Sequence, residues 1–441
     1  MELKGVMKKS NNISFCILTA KNEKEYIKLL LNSLISNTNF NVHEVLIFID
    51  SDNQNSYEEL LKFKSSYNNI RIYKNDSIFP IGGQRNLSTL FSLAKNDIVC
   101  YLHSDMVVGK YFDTYILEGM CDVNTIVSCL RIEPPLHPPG PDKILQNFGV
   151  IPEEFDMNKF NAFVENIQRE NRPTIRGHFA PFALYKSLWF DKLGGYDTQF
   201  RCSREDSDFV IRLMLNNITT VQSQKACAYH FSCVSSRGKN WFDTNDEQAK
   251  YKNVLQQHAD EQELKRFIRK WGYFGHEIRP VFDTSLFIDV DRFVDFNLLL
   301  WLEPYFKRIY LTKLDVVNQL THRIEFEAHY YSNLRWEYTP EHWNMVKPLF
   351  NPMDFNKRII HTQSVNNCVG DIIIQCKYSE VSTNITKETQ GFIENINSII
   401  NNNEIGTYTL PPFSINIIKK NDLSNTYKKT SNMEMLLSNI N

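Results

Sequence analysis

No stretch of this 441-residue chain approaches the roughly 20 consecutive apolar residues that a membrane-spanning helix requires. That excludes a polymer-extruding membrane synthase and leaves peripheral membrane contact open. Net charge is nearly absent too: 49 Lys and Arg against 51 Asp and Glu give -2, too little of a basic face for broad nucleic-acid binding. The 9 cysteines are scattered and form no C-x-x-C pair, so they read as reduced thiols of a reducing compartment. Met1–Asn12 is polar and Ile13–Ala20 is a short apolar run, which does not read as a signal peptide. The expected location is cytoplasmic. Internal repeats are missing, and low complexity is confined to Asn clusters such as Asn401–Asn403. What is present is core material, 42% hydrophobic and 13% aromatic, in a chain long enough for two domains.

The first half alternates strand and helix. Strands are expected at Ile13–Thr19, Glu44–Asp50, Ile70–Tyr73 and Ile98–Leu102. Helices are expected at Lys21–Ser36, with Ile27, Leu30, Leu31 and Leu34 at helical spacing, at Tyr57–Tyr67, and from Gly82-Gly83 to about Lys95. This order predicts a parallel sheet covered by helices, with ligands at the carboxyl ends of the strands. Glu133–Arg176, carrying Pro134, Pro135, Pro138, Pro139 and Pro141, reads as a long irregular loop of the kind that serves as a lid or binding segment. A helical stretch, Asp246–Trp271, leads to Pro280, after which the pattern restarts. Strands at Ser285–Val290, Arg308–Leu311, Asp371–Tyr378 and Phe413–Lys419 alternate with helices near Phe293–Phe306, Val316–Arg335 and Thr386–Ile400. The expected domains are residues 1–275 and a smaller α/β domain, 276–441, of unassigned role. The polar tail from about Asn421 reads as frayed.

The chemistry concentrates at His103-Ser104-Asp105, just past a strand. Spacing of i, i+2 puts the imidazole and the carboxylate on one side of an extended backbone. Together they suit a divalent ion holding a diphosphate, and the mix of nitrogen and hard oxygen favours manganese somewhat over magnesium.

Other motifs stand in a telling order around it: Thr19-Ala20-Lys21-Asn22-Glu23, Phe48-Ile49-Asp50-Ser51-Asp52, Gly82-Gly83-Gln84-Arg85-Asn86, and Gly194-Gly195-Tyr196-Asp197 followed by Glu205-Asp206-Ser207-Asp208 and Arg212-Leu213. In that order they resemble the T-x-x-N-E, V-D-D-G-S, G-x-x-x-A-R-N and G-G-F-D … E-D-x-D … R-L motifs of the family 2 glycosyltransferases. His103-Ser104-Asp105 takes the place of the family's D-x-D, with His103 for its first Asp, and Tyr229-His230 stands about where relatives place a final metal-binding His. The resemblance covers residues 12–275. It implies a GT-A fold, a Rossmann-like mixed sheet of the nucleotide-diphospho-sugar transferases. It implies that Thr19, Asn22 and Glu23 border the nucleotide, that Asp50 and Asp52 read the uracil or ribose, and that Gly83, Arg85 and Asn86 lie against the diphosphate. His103 and Ser104 join that donor set. Asp105, His103 and His230 are the implied metal ligands, for Mn2+ or Mg2+, and Asp206 is the implied base. Gly195, Glu205 and His178 are placed near the acceptor.

The implied reaction is inverting transfer of a sugar from a nucleoside diphosphate, most readily UDP, to a hydroxyl of a glycan or protein acceptor. A cation offsets the charge of the departing diphosphate, and a base takes the acceptor's proton. Neither the sugar, the acceptor nor the oligomeric state is legible.

Structural readings stand beside these. Asp50 and Asp52 also read as polar strand ends, Gly82-Gly83 as a turn, Arg85 as a surface charge, Glu205 and Asp208 as helix caps, and His230 as a core histidine. Trp189 and Trp241 read as core or as acceptor-stacking aromatics. Arg237 and Lys239 suit a loop that closes on diphosphate. Asp289-Val290-Asp291 mimics a metal motif in the second domain. Two rival functions remain: a non-catalytic glycan- or protein-binding relative, and a sugar-1-phosphate nucleotidyltransferase. The latter normally has a G-x-G-T-R-x-x-P-x-T-K loop after strand one, which Thr19–Glu23 lacks.

Overall fold

Short runs of Ile, Val, Leu and Phe, buried along nearly their whole length, form the strands at the centre of the N-terminal part. This is the pattern of strands covered on both faces. The computed structural model describes residues 12–19, 23–50, 56–75, 83–136, 138–173, 175, 181–197, 200, 203–232, 261–275, 279–333, 358–384 and 389–423. It comprises two compact units, Met1–Gln256 and Gln257–Asn441. Asn22, Asp52, His178, Arg237, Lys239 and Trp241 lie outside the described residues, as does the side chain of Arg85. The tail past residue 423 lies outside them too.

In the first unit, β1 (Ile13–Thr19), α1 (Lys24–Asn37), β2 (Glu44–Ile49), α2 (Ser56–Ser66), β3 (Ile70–Lys74), α3 (Gly83–Leu93) and β4 (Ile98–His103) alternate as the periodicity predicts. There follow β5 (Met106–Val108), α4 (Phe112–Gly119), β6 (Thr125–Glu133), β7 (Lys143–Leu145), α5 (Met157–Arg169), β8 (Phe182–Tyr185), α6 (Glu205–Leu215) and β9 (Thr219–His230). The sheet runs β3-β2-β1-β4-β8-β6-β9-β5, with β7 beside β6. β3, β2, β1 and β4 are parallel, and β8 adds antiparallel to β4. The strand order therefore reverses at β1 and β4, the place where such sheets leave a crevice at their carboxyl ends.

The proline-rich segment departs from the expected irregular loop. It contains β7 and the three-turn helix α5. Asp156 caps α5 by accepting the Lys159 N–H at 3.0 Å, and Phe160, Val164 and Ile167 bury one face at helical spacing. Pro134 to Pro141 all precede that helix and shape only its approach.

The second unit holds β10 (Thr284–Asp289), β11 (Arg308–Leu311), β12 (Ile359–His361), β13 (Ile372–Lys377), β14 (Gly406–Leu410) and β15 (Phe413–Ile417), in the order β12-β11-β10-β13-β15-β14. β10 to β13 are parallel, while β15 is antiparallel to both its neighbours. Helix 261–271 falls in this unit, where its Ile268 joins the core. A buried ion triad sits beside that core: Glu303 is fully buried between the guanidinium groups of Arg269 and Arg358. Arg269 Nε donates to Glu303 Oε2 at 3.0 Å, and Arg358 Nη2 also donates to the Phe306 carbonyl at 3.0 Å. Asp289 accepts from Thr312 at 3.2 Å and Asp291 from the Ser379 N–H at 2.9 Å, so these carboxylates hold the loops at the strand ends. The cysteines among the described residues are free thiols, and no described helix is long and apolar enough to cross a membrane.

Candidate active site

Parallel pairing brings the ends of β1, β2, β3 and β4 to one edge: Thr19 lies opposite Ile49, Ile49 opposite Lys74, and Leu18 opposite His103. Asp50, buried just past β2, donates its N–H to the Thr19 carbonyl at 2.9 Å. Asn75 steadies it from the end of β3, giving Nδ2 to the Asp50 carbonyl at 2.8 Å and to Oδ1 at 3.2 Å. The sequence reading missed Asn75, whose only signal was a polar residue closing a strand.

Glu23 is buried and turned inward. Its carboxylate accepts from Ser104 Oγ at 2.5 Å and from Thr19 Oγ1 at 3.1 Å, tying the turn after β1 to the turn after β4. Ser104 and Asp105 form that second turn rather than continuing the strand. The turn still brings the metal-binding candidates together, because β5 pairs antiparallel with β9 and sets Met106 opposite His230. One ligand atom each from His103, Asp105 and His230 lies within 4.8 Å of the others, and among the described residues this is the group that could hold a metal ion. Two imidazoles and a carboxylate are an apt donor set for a borderline divalent ion. Burial pushes the His103 imidazole down to about 4, despite the opposing charge of Asp105, so its ring stays neutral and able to ligate.

Behind His230 stands a group that the sequence reading did not single out. Glu133 Oε1 lies 3.1 Å from His230 Nδ1, and its Oε2 accepts from Lys143 Nζ at 2.8 Å. Burial by itself would raise the Glu133 carboxyl, but the hydrogen bonds from His230 and Lys143 and the charge of Arg131 pull it down to about 2.

The Gly-Gly and acidic motifs meet at α6. Asp208, fully buried, accepts from Arg212 Nε at 2.8 Å, and Arg212 Nη1 donates to the carbonyls of Leu193 at 2.5 Å and Gly195 at 2.7 Å. Asp208, in the acidic first turn of α6, therefore also clamps the glycine turn to the helix through Arg212. Gly194 and Gly195 are left-handed, with φ of 68° and 74°. A Cβ on Gly195 would lie 3.0 Å from both Ser88 Oγ and Trp189 Nε1. Gly195→Ala is expected to lower stability by about 1–3 kcal/mol, read as a lower melting temperature of the full chain. An unchanged melt would refute the strain.

Trp189 is fully buried among Phe91, Phe182, Tyr196 and Phe209, which makes it a core residue. Glu205 and Asp206 occupy the first turn of α6, Glu205 half-buried and Asp206 exposed. Asp206 Oδ1 accepts the Ser207 N–H at 2.6 Å, and its charge is felt at His103. Gly83 opens α3, while Asn86 is buried and its Nδ2 finds no hydrogen-bond partner among the described residues.

The α/β sheet thus gathers Asp50, Glu23 and the His103, Asp105 and His230 group at its carboxyl edge, where open α/β sheets of this kind take their ligands. Comparison with known sequences narrows the class. The profile of glycosyl transferase family 2 matches residues 15–194, so this N-terminal stretch, which holds most of the first sheet, belongs to that family. Abequosyltransferase RfbV of Salmonella typhimurium is 34% identical over 119 residues, 25% of this chain. The match spans about a third (35%) of that relative's length.

Similar solved structures include GalNAc-T7 with UDP, GalNAc and Mn2+ (TM-score 0.38, 14% identity, 50% of this chain and 43% of that one). They also include S. aureus TarS 1–349 in complex with UDP (TM-score 0.37, 15% identity, 58% of this chain and 72% of that one). Scores this low add nothing to the topology already described.

Proposed function

We propose that the N-terminal unit is a metal-dependent inverting glycosyltransferase that moves a sugar from a nucleoside diphosphate, UDP first among them, to a hydroxyl of a glycan or protein acceptor in the cytoplasm. The observation that carries this reading is the convergence of His103, Asp105 and His230 at the carboxyl edge that also presents Asp50. A divalent ion held by His103, Asp105 and His230 would supply counter-charge to the leaving diphosphate. The chain's own groups do the rest. Asp50, steadied by Asn75, accepts hydrogen bonds from the nucleoside. Gly83 and Asn86, with Arg85, lie against the diphosphate, and Asn22 and Asp52 complete the nucleotide border. Asp206 takes the proton of the incoming hydroxyl, and with a single base and no second nucleophile the displacement inverts the anomeric centre. His178, Gly195 and Glu205 shape the acceptor side.

The test is donor hydrolysis without acceptor, across several nucleotide sugars, with and without Mn2+ or Mg2+. Slow hydrolysis of one donor, dependent on metal and lost in Asp105→Ala, is the expected outcome. Wild-type protein that binds no nucleotide in the presence of metal would refute the reading. Nucleotide binding indifferent to both metal and Asp105→Ala would favour a non-catalytic binding module.

A further inference from the structure

The geometry assigns Glu133 a positioning role: it fixes His230 in the tautomer that turns an unprotonated Nε2 toward Asp105. This inference rests on the reading of His103, Asp105 and His230 as a metal site. Glu133 is the last residue of β6, and its side chain is 3% exposed. Lys143 Nζ lies 2.8 Å from its Oε2 and Arg131 Nη1 lies 3.5 Å from its Oε1. Arg131 also pairs with Asp142. With two cations against it the carboxylate is ionised and can only accept a hydrogen bond. The proton in the 3.1 Å contact between His230 Nδ1 and Glu133 Oε1 must then sit on Nδ1. Ser232 Oγ, 3.2 Å from the same nitrogen, is free to rotate its own proton away and does not oppose that arrangement.

The consequence appears on the other side of the ring. A neutral imidazole protonated at Nδ1 carries its lone pair on Nε2, which lies 3.6 Å from Asp105 Oδ2. That separation is too long for a hydrogen bond and sets two acceptors face to face. A cation between them satisfies both, whereas the opposite tautomer would put a proton there. A carboxylate behind a ligating histidine fixes its orientation and raises its basicity, and loss of such a partner typically weakens metal affinity by about 10–100-fold. The role is one of positioning, since Glu133 reaches its target only through His230.

The direct test is nitrogen-15 NMR of the histidine-labelled, metal-free full chain at mildly alkaline pH, with His230 assigned by its loss in His230→Asn. The expected result is a single Nδ1–H tautomer in the wild type, displaced toward Nε2–H in Glu133→Gln. A purely structural role for Glu133 would not move that signature. In parallel, Mn2+ binding measured by electron paramagnetic resonance in the presence of UDP should weaken by at least about tenfold in Glu133→Gln. An Nε2–H tautomer in the wild type overturns the assignment. Wild-type Mn2+ affinity in Glu133→Gln, with binding lost in Asp105→Ala, overturns it while leaving the metal site intact. If Asp105→Ala also binds Mn2+ like the wild type, the metal site is refuted and the role of Glu133 falls with it.

Discussion

Asp206→Asn should cut turnover by about 10²–10⁴ and leave nucleotide affinity within about twofold of the wild type. The substitution is nearly isosteric. An amide oxygen at Oδ1 can still accept the Ser207 N–H, now at 2.6 Å, so the first turn of α6 keeps its shape. What disappears is a group able to accept a proton from the acceptor hydroxyl. Asp206 suits that task because it is exposed at the start of a helix whose next acid, Asp208, is fully buried against Arg212. The loss should fall on kcat, with little change in donor KM, because the proton is transferred only on the way through the transition state. Equal turnover in Asp206→Asn and wild type would remove Asp206 from the chemistry. A matched loss of nucleotide affinity would make it a donor-binding residue instead.

Glu303→Ala should destabilise the second unit by about 3–5 kcal/mol, enough to unfold a marginal domain. The carboxylate is fully buried between Arg269 and Arg358, and its removal leaves two guanidinium groups facing each other out of water. Burial opposes the charge of Glu303, yet Arg269 and Arg358 hold its carboxyl down to about 2, from an ordinary value of 4.5. A depressed carboxyl contributes stability that is complete above the ordinary value and fades as pH falls toward the folded one, here from 4.5 to about 2. The full chain should therefore show a melting transition that falls across that window. In Glu303→Gln the transition should be low throughout and should lack this part of the pH dependence. A Glu303→Ala protein that melts with the wild type would show that the triad contributes nothing.

Much of this architecture was legible because strands buried on both faces advertise themselves as apolar runs, and their ends fix where polar groups gather. Thr19, Asp50 and His103 could be placed on one edge from that alone. Long-range pairing was not legible. Only the register of β5 against β9 brings His230 to Asp105, and nothing local in either segment encodes it. Helix α5 was hidden by the prolines before it, although Asp156 followed by Phe160, Val164 and Ile167 carries a cap and a helical stripe. Glu133 escaped notice because it stood at the head of the proline-rich stretch read as an irregular loop, whereas it closes β6; only its contacts with His230 and Lys143 single it out. The sequence already set Asp206 apart from Glu205 and Asp208 in the motif Glu205-Asp206-Ser207-Asp208, but the clamp between buried Asp208 and Arg212 was not legible. Helix α1 begins at Lys24 rather than Lys21, with Glu23 turned inward to Thr19 and Ser104 just before it.

The most direct test of the central claim is a crystal of the full chain soaked with UDP and manganese, with the metal located by its anomalous scattering. The account predicts one strong peak among His103, Asp105 and His230, touching the diphosphate, with the Asp206 carboxylate facing the sugar side of the pocket. A manganese peak elsewhere, or a diphosphate bound away from those side chains, would contradict it.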